Sequence, residues 1–263
     1  MQEEQVMTKE SVMTKEQREA AQALIDQIAQ STSPFQTVEY VKRELEAAGF
    51  TPLSLREKWE IKPGGRYYVP AYDRTLLAFT VGQKKAARHG IRMAMAHTDS
   101  PCFKVKPAPE MTAHGCRKLN VEPYGGMIRS TWMDRPLSLA GKIALRGEVP
   151  FAPRTVLVDF QRPVLIIPNL AIHMNRKVNE GVSLDPQKDM LPLADLSGGE
   201  VREDFFLQAL AAEAGCRAED ILDYEMFLYP YEKGSFVGFG ETMVSCPRLD
   251  NITSVRACVQ GLL

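Results

Sequence analysis

Met95-Ala96-His97-Thr98-Asp99-Ser100-Pro101 closes an apolar run with a histidine and a carboxylate two positions apart, and a proline stops it. In extended backbone, residues i and i+2 point to the same side. The imidazole of His97 and the carboxylate of Asp99 can therefore serve one site, as a metal ligand and the group that orients it. Residues 91–96 are apolar except for Arg92, a pattern that predicts a strand covered on both faces of an α/β sheet. The motif then falls at the carboxyl end of a central strand, where open α/β sheets place their ligands. Downstream, Arg248-Leu249-Asp250-Asn251 offers a second candidate ligand in Asp250, and the sequence given reaches Leu263 without a third ligand group. For one shared site, residues 240–250 must return beside the first strand and bring Asp250 next to His97.

Composition bounds what surrounds this motif. A chain of 263 residues with 44% hydrophobic content can bury a real core, in one large or two ordinary domains. Lys and Arg number 32 against 33 for Asp and Glu, a net charge of −1 that offers no electrostatic footprint for nucleic acid or an anionic membrane. Residues 1–22 are polar and charged, so neither a secretory signal nor a membrane span is expected, and the cytoplasm is the default setting. The five cysteines are odd in number and scattered without a Cys-x-x-Cys pair, which suits reduced thiols.

Along the chain, Val6-Met-Thr-Lys-Glu10 and Val12-Met-Thr-Lys-Glu16 form a duplication too short for a structural repeat and read as a frayed leader. Ala21, Leu24, Ile25 and Ile28 fall at helical spacing. A second helix is marked by Ser33 as N-cap, Pro34 at the first turn and Gln36 three residues after the cap, with Phe35, Val38, Val41 and Leu45 as its buried stripe and Gly49 as its stop. Tyr67-Tyr68-Val69 and residues 75–80 read as strands. Between about 105 and 235 the texture becomes β-rich, with short runs at 119–123, 137–145, 155–160 and 164–167, one helix at 201–214 and an alternating strand at 223–229. Ile252, Val255, Val259 and Leu262 then define a last helix.

Five collinear stretches closely resemble the aspartyl aminopeptidase family of dinuclear zinc peptidases: Ala96-His-Thr-Asp-Ser-Pro-Cys-Phe-Lys-Val-Lys-Pro107, Leu119-Asn-Val-Glu-Pro-Tyr-Gly-Gly126, Thr131-Trp-Met-Asp-Arg-Pro-Leu-Ser-Leu-Ala-Gly141, Asn169-Leu-Ala-Ile-His-Met-Asn-Arg176 and Pro247-Arg-Leu-Asp-Asn251. The resemblance implies an α/β fold: an incomplete three-layer zinc-peptidase domain (1–105 and 236–263) interrupted by a β-rich dimerisation domain (106–235). It implies homo-oligomers, dodecamers in the best-known members, and two zinc ions per complete active site. By the same resemblance His97 is a zinc ligand, Asp99 the catalytic carboxylate that orients it, and Asp250 the aspartate bridging both metals. His173 is the substrate-site histidine reaching into a neighbouring subunit. The family's adjacent glutamates, a further acidic ligand and a last histidine ligand correspond to positions after Leu263, so the 263 residues alone are expected to be inactive.

Each residue also has a bland reading. His97 and Asp99 could be a capped histidine at a strand end, Asp250-Asn251 a helix N-cap, and His173, between Ile172 and Met174, a packed core histidine. Cys102, His114 and Cys116 with His97 would make an irregular zinc site without hairpin spacing. Two functions follow. One is a zinc aminopeptidase that releases N-terminal residues from peptides, acidic ones being the family preference; the other is a truncated, non-catalytic oligomeric family member.

Overall fold

A computed structural model describes residues 13–83, 90–198 and 203–263. The expected leader at 1–12 and the first two residues of the helix expected at 201–214 lie outside the described residues. Helix α1 (Lys15–Gln30) begins earlier than its apolar stripe, because Thr14 and Gln17 form a reciprocal capping box: the Gln17 amide donates to the Thr14 hydroxyl and the Thr14 amide to the Gln17 side chain. Helix α2 (Pro34–Ala47) starts as expected, with the Phe35 amide donating to Ser33 Oγ. Its Gln36 does more than the capping pattern foretold. The side-chain amide donates to the carbonyls of Val158, at 3.0 Å, and Gly141, at 3.3 Å, and so ties the helix to a sheet.

Strand β1 (Thr51–Pro52) runs parallel to β2 (Arg66–Ala71), which pairs antiparallel with β3 (Thr75–Thr80). Tyr72 and Asp73 turn this hairpin with φ of 53° and 60°, the left-handed pair that matches strand twist. The larger sheet comprises β4 (Cys102–Ala113), β5 (Cys116–Tyr124), β6 (Pro136–Leu145), β7 (Arg154–Asp159), β8 (Leu165–Ile166), β9 (Leu193–Leu196) and β10 (Ile221–Pro230). Its order is β10-β4-β5-β9-β8-β6-β7, and β10 also pairs with β6, so six strands close a ring with β7 on the flank. Alternate apolar side chains fill it: Phe103, Val105, Leu119, Val121, Leu137, Leu139, Ile143, Met226 and Leu228 are all buried. Helix α3 (Phe205–Ala214) covers it with Phe206 and Leu210 and stops at Gly215, in the left-handed conformation. Strand β4 crosses positions 105 and 106, where the sequence places a domain boundary.

A hairpin, β11 (Ser235–Val237) with β12 (Met243–Ser245), leads to α4 (Leu249–Leu262). Val255 and Val259 of α4 join Val41, Leu45, Phe50 and Tyr68 in a second core. Arg256 fastens α4 to both earlier helices, donating to Gln27 at 3.1 Å and pairing with Glu44 at 3.7 Å.

Helices and sheets are thus mixed, and the α/β class holds. Two expectations are corrected. Residues 91–96 form no strand, and Ile91, Met93 and Met95 are 86%, 75% and 83% exposed. A strand exists only where neighbours take up its N–H and C=O groups, and among the described residues nothing pairs with this segment. Residues 240–250 do not return to a sheet beside it either: 243–245 pair with β11, and Asp250 arrives at the start of α4.

Candidate metal centre

His97, Asp99 and Asp250 meet although no strand carries the first two. The chain turns at Ser100-Pro101 into β4, so His97 and Asp99 sit where the 91–96 segment enters the large sheet, and Ala96 packs on the second core. His97 Nδ1 lies 2.9 Å from Asp99 Oδ1 and 3.0 Å from the Asp99 carbonyl, both acceptors, so Nδ1 carries the proton. Nε2 points the other way. Facing it, at 3.3 Å, is Asp250 Oδ1.

Asp250 reaches this position through an irregular turn. Arg248 has φ of 59°, Asp250 and Asn251 leave the helical range, and no side chain caps α4, so the N-cap reading of Asp250 is not what the backbone adopts. The turn is held by Arg248, whose guanidinium donates to the Ile28 carbonyl at the end of α1 (2.9 Å) and to the Pro230 carbonyl at the end of β10 (3.4 Å), over the Tyr229 ring.

Asp99 is held from its other side. Burial would raise its pKa, but hydrogen bonds from the Tyr124 hydroxyl and from His97, and the charge of His97, outweigh this and keep it below the usual carboxylate range. Tyr124 shifts the other way, pushed up by burial and by the same carboxylate. Sequence reading missed Tyr124. It stands in one of the quoted stretches, yet only the pairing of β5 with the start of β4 brings it to Asp99.

The donor set can be tested against zinc without reference to any ion. Nitrogen and oxygen ligands at about 2.1 Å from a tetrahedral zinc stand ~3.4 Å apart, and His97 Nε2 and Asp250 Oδ1 are separated by 3.3 Å. The spacing fits. Among the described residues no group of three or more His, Cys, Asp or Glu side chains is arranged to hold a metal, so the Cys102, His114, Cys116 and His97 combination is not assembled. His173 stands apart in an exposed turn beside Leu170, Ile172 and Met174, which are exposed as well, and is no core histidine.

Comparison with known proteins agrees with this fold. The family model of the aminopeptidase I zinc metalloproteases (M18) matches residues 27–263. A probable M18 family aminopeptidase 2 of Clostridium acetobutylicum is 43% identical over 251 residues, covering 95% of this chain and 58% of the relative. In the solved structure of the Ape4 and Nbr1 complex, a chain matches with a TM-score of 0.87 and 31% identity over 93% of this chain and 50% of that one. The S. cerevisiae mApe1 dodecamer matches with a TM-score of 0.73 and 25% identity, over 88% and 52%. The chain belongs to the M18 family of aminopeptidases, and it spans little more than half the length of these relatives.

Proposed function

We propose that these residues form part of the active site of a zinc-dependent aminopeptidase that releases N-terminal residues, acidic ones by preference, from peptides. One observation carries the metal assignment. With Nδ1–H given to Asp99, the Nε2 lone pair of His97 and a carboxylate oxygen of Asp250 face each other across 3.3 Å. Two such groups repel unless a proton or a metal cation lies between them, and ligands of one ion stand this far apart. A zinc bound there supplies Lewis-acid polarisation of the scissile carbonyl and a lowered pKa for water.

The chain's own residues do the rest of what is assigned here. Asp99 fixes the tautomer and plane of His97 and raises its basicity as a ligand, the usual duty of a carboxylate behind a metal-binding histidine. Asp250, with its side chain 74% exposed, is open enough to serve a second ion, in keeping with a two-zinc site. The arrangement of parts is also part of the reading. Residues 1–105 and 236–263 belong to the catalytic portion of a three-layer peptidase domain, and 106–235 to an inserted domain that associates with other subunits, supported by the dodecameric relative. On this reading the exposed turn at His173 carries the histidine to a neighbour's substrate. A cytoplasmic setting suits the five free cysteines, and among the described residues no helix is long and apolar enough to cross a membrane.

The test is cobalt binding by the 263-residue chain. Cobalt should give a visible d–d band that both His97→Ala and Asp250→Asn remove. A competing arrangement, an imidazolium held between Asp99 and Asp250 with no metal, predicts that cobalt leaves the His97 resonances unchanged. That result would withdraw the metal centre.

A further inference from the structure

The carboxylate that orients His97 is itself oriented. Asp99 accepts the His97 Nδ1–H on Oδ1 and the Tyr124 hydroxyl on Oδ2. Tyr124 ends β5 opposite Cys102 of β4, and its ring meets Phe227 edge-on with centroids 5.5 Å apart, so its own position is fixed by the sheet. Arg74, just past the β2–β3 turn, donates Nη2 to the Tyr124 oxygen at 3.2 Å and Nη1 to Glu225 at 2.9 Å. Lys104 shares the same Glu225 oxygen at 3.1 Å. Thr98, between the histidine and the aspartate, donates its hydroxyl to the Arg74 carbonyl at 3.0 Å.

These bonds have a direction. A guanidinium only donates and an ionised carboxylate only accepts. The single proton of Tyr124 must then point to Asp99 while its oxygen receives Arg74. Asp99 is the sink for donors from both ends, Tyr124 on one oxygen and His97 on the other. A tyrosine merely burying its ring would need one partner for its hydroxyl; this one has two of opposite sense, and both belong to residues that touch the motif. Such donor chains polarise one another and hold their last member in one orientation.

We propose that Tyr124 is a positioning residue of the metal centre, with Arg74 setting the direction of its hydroxyl, so that Asp99 keeps His97 in the Nδ1–H tautomer and Nε2 free for a divalent cation. This rests on the metal reading above. It is tested on the full chain at pH 8, where an unperturbed histidine is neutral. Long-range proton–nitrogen correlation spectra report the tautomer of each of the four histidines, and cobalt titration reports affinity. In Tyr124→Phe, His97 should gain a substantial Nε2–H population and cobalt affinity should fall ~10-fold, the lower end of the effect of groups behind a ligand, while His114 and His173 stay as in the wild type. Arg74→Gln should move both readouts the same way, and it serves as the test if Tyr124→Phe does not fold, because Glu225 keeps Lys104.

Wild-type tautomer and affinity in a folded Tyr124→Phe, with cobalt still lost in Asp250→Asn, would overturn the proposal and leave the metal reading standing. A shifted tautomer in a protein whose His97 ignores cobalt would uphold the positioning role and sink the metal reading.

Discussion

At the scale of single residues, Gly141 and Cys102 show what close packing demands. A Cβ built on Gly141 would stand 2.0 Å from the Glu225 carbonyl oxygen and 2.9 Å from its carbon, backbone atoms that cannot swing aside. Gly141→Ala should therefore destabilise the protein by about 3 kcal/mol, at the upper end of overpacking costs, and a urea melt would measure it; an unchanged midpoint would mean β6 and β10 separate freely. Cys102 is buried at the start of β4, and burial, with the charge of Asp99 behind it, pushes its thiol up to about 12. Only the thiolate reacts, so at pH 8 a fraction on the order of 10⁻⁴ is available. Mass spectrometry after alkylation of the native protein should find Cys102 modified last among the five cysteines, at the rate of unfolding, and prompt labelling would contradict its placement. The residue scale was also the most legible. His97 and Asp99 could be paired because side chains two apart in extended backbone share a face, a local rule. Tyr124 could not, because its contact with Asp99, 25 positions away, is made by the pairing of β5 with β4.

At the scale of elements, the signals that worked were those contained within an element. Ser33-Pro34 started α2, Gly49 and Gly215 ended helices, and Val255 and Val259 of the last stripe set α4 against the second core. The residues 91–96 misled because an apolar run states only that a segment can be covered, not what covers it. Arg135 illustrates an element held by charge. It lies just before β6, donates Nε to Glu232 just past β10 at 3.0 Å and pairs with the same carboxylate through Nη2. The Arg135 hydrogen bond outweighs burial and holds Glu232 below the usual carboxylate range. A depressed folded-state pKa means stability that is present above the unfolded value, near 4.5, and lost as pH falls through the folded one. Glu232→Gln should lower the melting temperature slightly at pH 7 and make no difference well below pH 4. The effect is under ~1 kcal/mol because the pair is half exposed, and an equal loss at both pH values would show that packing, not charge, is what the substitution removes.

At the scale of the whole molecule, the exposed row of Ile91, Met93 and Met95 beside the candidate site is apolar surface of the kind that monomers seldom leave bare. The 263-residue chain should self-associate at micromolar concentration, and Met93→Lys with Met95→Lys should shift it toward monomer without lowering its melting temperature, as light scattering and calorimetry would show. A wild-type monomer would count against this surface as sticky. The closed ring of β4 to β10 also has a consequence in time. His97 and Asp99 leave the ribosome before any strand of that ring, and Asp250 follows roughly 150 residues later, on the order of ten seconds at ordinary rates of synthesis. His97 and Asp250 can thus meet only after the ring has closed and α4 has docked, so the candidate site belongs to the folded chain and not to the growing one.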